Sequence, residues 1–356
     1  MVSLRFRVRP DPCRGRPGRT RQGCVSASAA LLYHSLNELR HFLPGAIGQP
    51  GGAQPARGVT FHDKENKAMR LGLIGKAIMN SSAPDLHTRL GELTGIPVTY
   101  DLFDANEMPI ESLESQVRKV MAEGYRGVNV TYPYKEAAVK LADRATEGAR
   151  LVGAANTLVF ANGQIQAENT DFSGFISGYR ATLGERAPGR VLVIGTGGVG
   201  KAVAFGLGKL GAEEIILLDL DESKSAKLAH ELRQAGFSAS EVTLGALAET
   251  VGGCDGLVNC TPIGHEKSPG CPLPKKLIES RHWIFDAVYV PAITEFITAA
   301  RKARAQVMSG VSLFVFQGVD AFKFFCEDAE TRKLADEQAE ALFIHYKQKL
   351  LKEQGQ

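Results

Sequence analysis

Two ionisable residues stand where their charge needs an explanation. The run Asn129-Val-Thr131-Tyr-Pro133-Tyr-Lys135 ends a predicted strand and turns into a predicted helix, with Pro133 suited to the helix start. Lys135 then falls in the first helical turn, where an ammonium faces the positive end of the helix dipole. A carboxylate partner or a role in proton transfer would account for it; a solvated surface lysine is the plainer alternative. Asp171, in Glu168-Asn169-Thr170-Asp171, is the natural partner. The chain there leaves one predicted domain for the next, and such junctions line ligand clefts. A helix N-cap is its plainer role, and the two roles can coexist.

A second constellation is built for an anion. Gly195-Thr-Gly197-Gly198-Val199-Gly200 follows a short apolar run and opens a stretch of small residues. Gly195 can take the tight turn, and Gly197 lets backbone N–H groups approach a pyrophosphate. Gly200 lets the helix pack close to the strand, and the helix N-terminus favours the phosphates. The next predicted strand ends at Asp219, nineteen residues after Gly200. A carboxylate there can accept hydrogen bonds from ribose hydroxyls and repel a 2′-phosphate, and Asp221 adds to the repulsion. NAD is therefore expected over NADP. Lys224 would favour a phosphate, or contact the adenosine, or simply sit in solvent.

The elements that must position these residues are short apolar strands alternating with amphipathic helices. Strands are predicted at 71–74, 99–103 and 127–131, with helices at 85–94, 110–123 and 134–141. A hairpin follows at 156–160 and 164–168, turning on Ala161-Asn162-Gly163. A second series has strands at 191–194, 215–218, 256–259, 284–288 and 306–308, and helices at 200–210 and 223–235. The tail, 313–326 and 331–349, reads as helical. Alternation of this kind implies a mostly parallel sheet in each half. The expected division is a leader over 1–68, a substrate domain over 69–171 with 311–350, and a nucleotide domain over 172–310.

Composition narrows the function classes. With 44% hydrophobic and 23% charged residues in 356, the chain is neither wholly disordered nor a coiled coil. No apolar run is long enough to span a membrane. The net charge of +3 misleads, because residues 1–68 carry 11 Lys and Arg against 4 Asp and Glu. The rest of the chain is mildly acidic, which argues against a nucleic-acid surface. The leader, with seven Arg before Cys24, fits a disordered extension, an upstream start codon or a transit peptide, and Met69 stands directly before the first strand. The six cysteines form no CxxC pair and no zinc-type cluster, so a reducing compartment and no metal are expected.

The body resembles the shikimate/quinate dehydrogenase family, in particular its NAD-preferring quinate/shikimate branch. The resemblance runs from about Leu71 to Phe325. Besides the segments above it rests on Gly153-Ala-Ala-Asn156-Thr, Asn259-Cys-Thr261-Pro262-Ile-Gly264, Asp286-Ala-Val288-Tyr289-Val-Pro291 and Gln317-Gly-Val-Asp320-Ala-Phe322. It implies an N-terminal α/β substrate domain, a doubly wound Rossmann domain for the nucleotide, and C-terminal helices returning to the first. It implies that Lys135 and Asp171 are the catalytic pair at the ring hydroxyl being oxidised. Ser81, Thr131, Asn156, Tyr289 and Gln317 would bind substrate. Val199, Thr261, Pro262, Val288 and Gly310 would join the glycines, Asp219 and Lys224 at the cofactor. Ser81 matches the first hydroxyl of the family's carboxylate clamp, but the second falls on Ala83, whose methyl cannot donate to a carboxylate. Ser82 could compensate, or the substrate could differ. Lys76-Ala77-Ile78 also departs from the small residues usual before the clamp. The expected activity is NAD-linked oxidation of quinate or shikimate in the cytoplasm, with a homodimer allowed. An aminoshikimate-type enzyme and a non-catalytic sensor of the same acids are the alternatives.

Overall fold

The computed structural model describes residues 68–106, 109 and 112–353, so the leader expected over 1–68 lies, save for Ala68, outside the described residues. Two six-stranded sheets carry the fold. The first contains β1 (Met69–Gly75), β2 (Val98–Asp104), β3 (Gly127–Val130), β4 (Arg144–Ala145), β5 (Thr157–Ala161) and β6 (Gln164–Glu168). Their spatial order is β2-β1-β3-β5-β6-β4. The pairs β1–β2, β1–β3 and β4–β6 are parallel, whereas β5 runs antiparallel to β3 and β6. The hairpin turns on Asn162 (φ 52°) and Gly163 (φ 75°), the left-handed pair that a two-residue turn needs. Register pairs Ile74 with Phe103 and with Val130, so the residues after β1, β2 and β3 emerge at one edge.

The second sheet contains β7 (Arg190–Ile194), β8 (Glu214–Leu218), β9 (Ala239–Glu241), β10 (Gly256–Asn259), β11 (Trp283–Asp286) and β12 (Gln306–Ser309). All its pairings are parallel, in the order β12-β11-β10-β7-β8-β9. This is the doubly wound Rossmann arrangement, and the winding reverses between β7 and β10. Val191, Leu192 and Val193 are fully buried because helices cover both faces.

The helix Thr170–Leu183 joins the two sheets. It is capped by Asn169, whose side-chain oxygen accepts from the Phe172 amide at 3.0 Å. Asp171 is therefore a first-turn residue and not the cap. The helix lies against Gly310–Phe325 and Gly198–Lys209, and a Cβ at Gly174 would come within 2.5 Å of the Gln317 amide nitrogen. The expected limits at 171/172 and 310/311 thus fall within continuous helices.

The tail differs from expectation in one respect. The stretch 331–349 is two helices, Ala329–Glu337 and Ala339–Glu353, parted at Gln338. The second helix returns to the first sheet's helix Ala83–Thr94: Tyr346 and Lys349 both reach the Asp85 carboxylate, at 2.8 and 3.0 Å. No helix among the described residues is long and apolar enough to cross a membrane.

Candidate active site

The carboxyl edge of the first sheet faces a cavity of about 430 Å³, within the usual range for a small-molecule site. Its wall runs from the turn after β1, past β3 and the Thr170–Leu183 helix, to Val199 of the glycine loop and the start of Gly310–Phe325. Of the expected site residues, Ser81, Thr131, Lys135, Asn156, Asp171, Val199, Tyr289, Gly310 and Gln317 line it together.

Lys135 opens the helix Lys135–Lys140, two residues later than Pro133 would have started it, and Tyr134 takes the cap position. Its Nζ lies 2.5 Å from Asp171 Oδ2, with side chains 19% and 10% exposed. This pairing offsets the unfavourable dipole position. Each partner comes from the start of a different helix, so the pair forms only when β3 and the hairpin are both in place.

A polar network holds the floor. Tyr100 donates to Asn129 Oδ1 at 2.9 Å, and Asn129 Nδ2 donates to Thr157 Oγ1 at 2.9 Å. Asn156 Oδ1 accepts from the Thr170 amide at 2.7 Å and its hydroxyl at 3.1 Å. Its oxygen is thus committed to the helix carrying Asp171, and its amide NH₂ is what it can offer a ring hydroxyl. Gln317 Nε2 donates to the Phe314 carbonyl at 3.0 Å. Tyr289 stacks on Phe314 at 5.3 Å, and burial pushes its phenol pKa up. Ser81 Oγ accepts from the Ala83 amide at 3.2 Å, while Ser82 is not part of the wall.

Sequence reasoning gave no role to His87, Asn129 or Tyr132, which also line the cavity. Asn129 lay inside a quoted motif, and its polar side chain within an apolar strand was the available signal. His87 is 1% exposed, stacks on Tyr100 at 4.9 Å, and leaves Nδ1 without a partner. Burial drives its pKa down to about 3. The folded chain therefore prefers neutral imidazole. This preference costs nothing above the unfolded value near 6.5, and stability is lost as pH falls from there toward 3, by up to about 1.4 kcal/mol per unit. Denaturant midpoints at about pH 7.5 and about pH 5 should show a smaller fall in His87→Phe than in the parent chain. An equal fall would remove His87 as a source of acid sensitivity.

The nucleotide side lies at the carboxyl end of β7. Gly195 has φ +91°, and a Cβ on Gly200 would stand 2.0 Å from the Gly195 carbonyl oxygen. A Cβ on Gly197 or Gly198 would meet nothing within 4 Å. The loop is thus closed where strand meets helix and open where a pyrophosphate would approach, so these residues fit a dinucleotide. Asp219, just after β8, accepts from the Thr196 amide and hydroxyl, both at 2.8 Å. Burial raises its pKa, but the Thr196 and Asp221 amides, the Thr196 hydroxyl and the Lys224 charge together outweigh this and hold it below the usual range.

Asp221 caps the helix Glu222–Gln234, and Lys224 turns back to it at 3.7 Å while 63% exposed. Lys224 thus keeps its ammonium at the surface, where its charge also reaches Asp219. Thr261 Oγ1 donates to Asn259 Oδ1 at 2.7 Å, and its methyl packs beside Gly195. Pro262 is exposed in the same turn. The Val288 amide donates to buried Asp286, whose pKa burial raises to about 6. Gly195, Gly197, Gly198, Gly200, Asp219, Lys224, Thr261, Pro262 and Val288 stand outside the cavity lining. Among the described residues no cluster of potential metal ligands occurs.

A doubly wound nucleotide sheet joined to a second α/β sheet across a cavity holding a lysine–carboxylate pair defines an oxidoreductase of the two-domain dehydrogenase class. The model for the shikimate dehydrogenase substrate binding domain matches residues 73–158. A shikimate dehydrogenase (NADP(+)) of Arthrobacter sp. (strain FB24) is 37% identical, over 72% of this chain and 88% of that protein. A quinate/shikimate dehydrogenase (NAD(+)) of Corynebacterium glutamicum (strain R) is 34% identical, over 73% and 94%. The structure of quinate dehydrogenase from Corynebacterium glutamicum in complex with NAD superposes with a TM-score of 0.70 at 31% identity, covering 75% of this chain and 98% of that one. The chain belongs to the shikimate dehydrogenase family, and it is an enzyme.

Proposed function

We propose that this enzyme oxidises a ring hydroxyl of quinate or shikimate to the 3-dehydro ketone, reversibly, with NAD as the cofactor. The observation that carries this reading is the 2.5 Å Lys135–Asp171 pair on the wall of a cavity that reaches the glycine loop. A nicotinamide held at the glycine loop would supply the acceptor for the hydride of the ring carbon. The hydroxyl proton passes to the Lys135–Asp171 pair as the hydride leaves, so that the ammonium–carboxylate pair gains one proton on the Asp171 carboxylate, and it returns in the reverse direction. The Lys135 charge favours alkoxide character on the reacting oxygen. Thr131, Asn156 and Gln317 orient the ring hydroxyls, Ser81 holds the carboxylate end, and Tyr289 closes the pocket. Residues 69–171 with 311–350 serve chiefly the substrate and 172–310 chiefly the nucleotide, with Tyr289 reaching the substrate cavity from the second set.

On the nucleotide side, Gly195, Gly197, Gly198, Val199 and Gly200 receive the pyrophosphate, and Thr261, Pro262, Val288 and Gly310 border the cofactor. Asp219 sets the choice between NAD and NADP. Its carboxylate, kept ionised by the Thr196 and Asp221 hydrogen bonds, can accept from ribose hydroxyls and repels a 2′-phosphate. NAD should be preferred by about 1–3 kcal/mol, roughly 5- to 150-fold in kcat/KM. Initial rates with saturating acid and each nucleotide decide this; a kcat/KM for NADP equal to that for NAD would overturn the role of Asp219. A second reading, a dehydrogenase specific for an amino analogue of the same ring, is favoured by Ala83 alone.

A further inference from the structure

On the proposed reading the carboxylate end of the cavity lies at Ser81 and Ala83, and the Ala83 methyl there offers no donor. On that same wall stands Lys76, half-buried at the turn that follows β1. We propose that Lys76 receives the substrate carboxylate, replacing the hydroxyl lost at Ala83; this rests on the reading of the cavity as the site for a cyclic hydroxy acid.

Charge balance is the first support. Lys76, Lys135 and Asp171 are the charged residues lining the cavity. Lys135 and Asp171 neutralise each other at 2.5 Å, whereas Lys76 makes no ion pair with any described residue. The cavity therefore carries one uncompensated positive charge, and an anion of unit charge completes it.

Position is the second support. The Lys76 amide donates to the Tyr132 carbonyl at 3.0 Å, which ties the turn to the segment carrying Thr131 and Lys135. Asp104 is occupied in holding the turn: its Oδ1 accepts from the Ala77 amide at 3.2 Å and its Oδ2 from the Ile78 amide at 3.2 Å. Ala77 has φ 54°, a left-handed conformation that a non-glycine residue adopts at a cost, so the turn is held in place against local strain. The helix Ala83–Thr94 begins at the same wall, and its first-turn carboxylate, Asp85, is paired with Lys349. An ammonium forms a charge-assisted bond to a carboxylate, stronger than the neutral hydroxyl bond it replaces. The departures at positions 76 and 83 thus compensate each other, and the substrate remains an acid.

The test compares Lys76→Met and Lys76→Arg with the parent chain, using shikimate, quinate and the uncharged methyl ester of shikimate. Lys76→Met should raise KM and the calorimetric Kd for both acids by about 10- to 100-fold, with kcat within about threefold, since the contact is present before and during the reaction. Its KM for the methyl ester and for NAD should match the parent, and Lys76→Arg should keep most of the affinity for the acids. In the unaltered chain, shikimate should bind at least about tenfold more tightly than its ester. Ser81 alone would also favour acid over ester, so if Lys76→Met does not fold, Lys76→Gln gives the same comparison of acid and ester losses. Unchanged KM for the acids in Lys76→Met, equal losses for acid and ester, or equal affinity of the unaltered chain for acid and ester would each overturn the role of Lys76. A parent chain that turns over the acids while any of these holds leaves the proposed function standing; one that binds neither acid overturns both.

Discussion

Lys135→Met should lower kcat by about 10²–10⁴-fold, the usual cost of losing a general acid–base group. Methionine keeps most of the volume, so packing around Tyr134 and the Lys135–Lys140 helix should survive, and the melting temperature should stay close to that of the parent. Asp171→Asn keeps the shape and removes the charge that holds Lys135 Nζ at 2.5 Å. It should also act mainly on kcat. The double variant should lose less than the product of the two single losses, because the residues work as one unit. NAD affinity should persist in all three, since the glycine loop and Asp219 are untouched. Stopped-flow binding with steady-state rates separates these quantities; wild-type kcat in Lys135→Met would refute the pair's role and leave the fold as described.

The second large effect divides two glycines of one loop. A Cβ at Gly200 would stand 2.0 Å from the Gly195 carbonyl oxygen, and backbone cannot swing aside as a flexible side chain can. Gly200→Ala should cost about 1–3 kcal/mol of stability and displace the loop, so that nucleotide binding fails with it. Gly197 has φ −67° and open space about it, so Gly197→Ala should fold normally. It should still weaken NAD by about tenfold or more, because the added methyl occupies the approach of the pyrophosphate. Thermal melts with NAD titration separate the two; equal melting losses in both would mean that the open face of the loop is misread.

Strands were legible in the sequence because their burial makes them continuous apolar runs, as in Val191–Ile194 and Gly256–Asn259. The helix Thr170–Leu183 was not, although it carries Asp171 and joins the sheets. Gly174 and Gly178 weaken its helical signal, and they are glycine because Gln317 and Met308 press against them. Glu147–Val152 and Leu247–Gly252 span six residues each, too few for a 3.6-residue period to show. The antiparallel placement of β5 follows from the tight Asn162-Gly163 turn together with its pairing to β3, and only the turn could be read.

At the site, ionisable residues at element ends stood out because their local positions are electrostatically odd. Lys135 in a first turn and Asp219 at a strand end are the examples. His87 did not stand out, because a histidine at an apolar helix position looks like core until its unpartnered Nδ1 and its neighbour Tyr100 are seen. Asn156 is expected as a substrate contact, and what the sequence does not show is that its oxygen is committed to Thr170, which leaves its amide NH₂ for that contact. That bond is made across the hairpin, at a distance in sequence that spacing does not reveal.

The most direct test is a single turnover with enzyme in excess over quinate or shikimate and NAD present, following nicotinamide reduction and the mass of the acid together. Each reduced nicotinamide should be matched by one acid that has lost two hydrogens to become the ring ketone, and Lys135→Met should slow this step by at least about 100-fold with NAD binding unchanged. Reduction without ketone, no reduction with either acid, or an undiminished rate in Lys135→Met would contradict it.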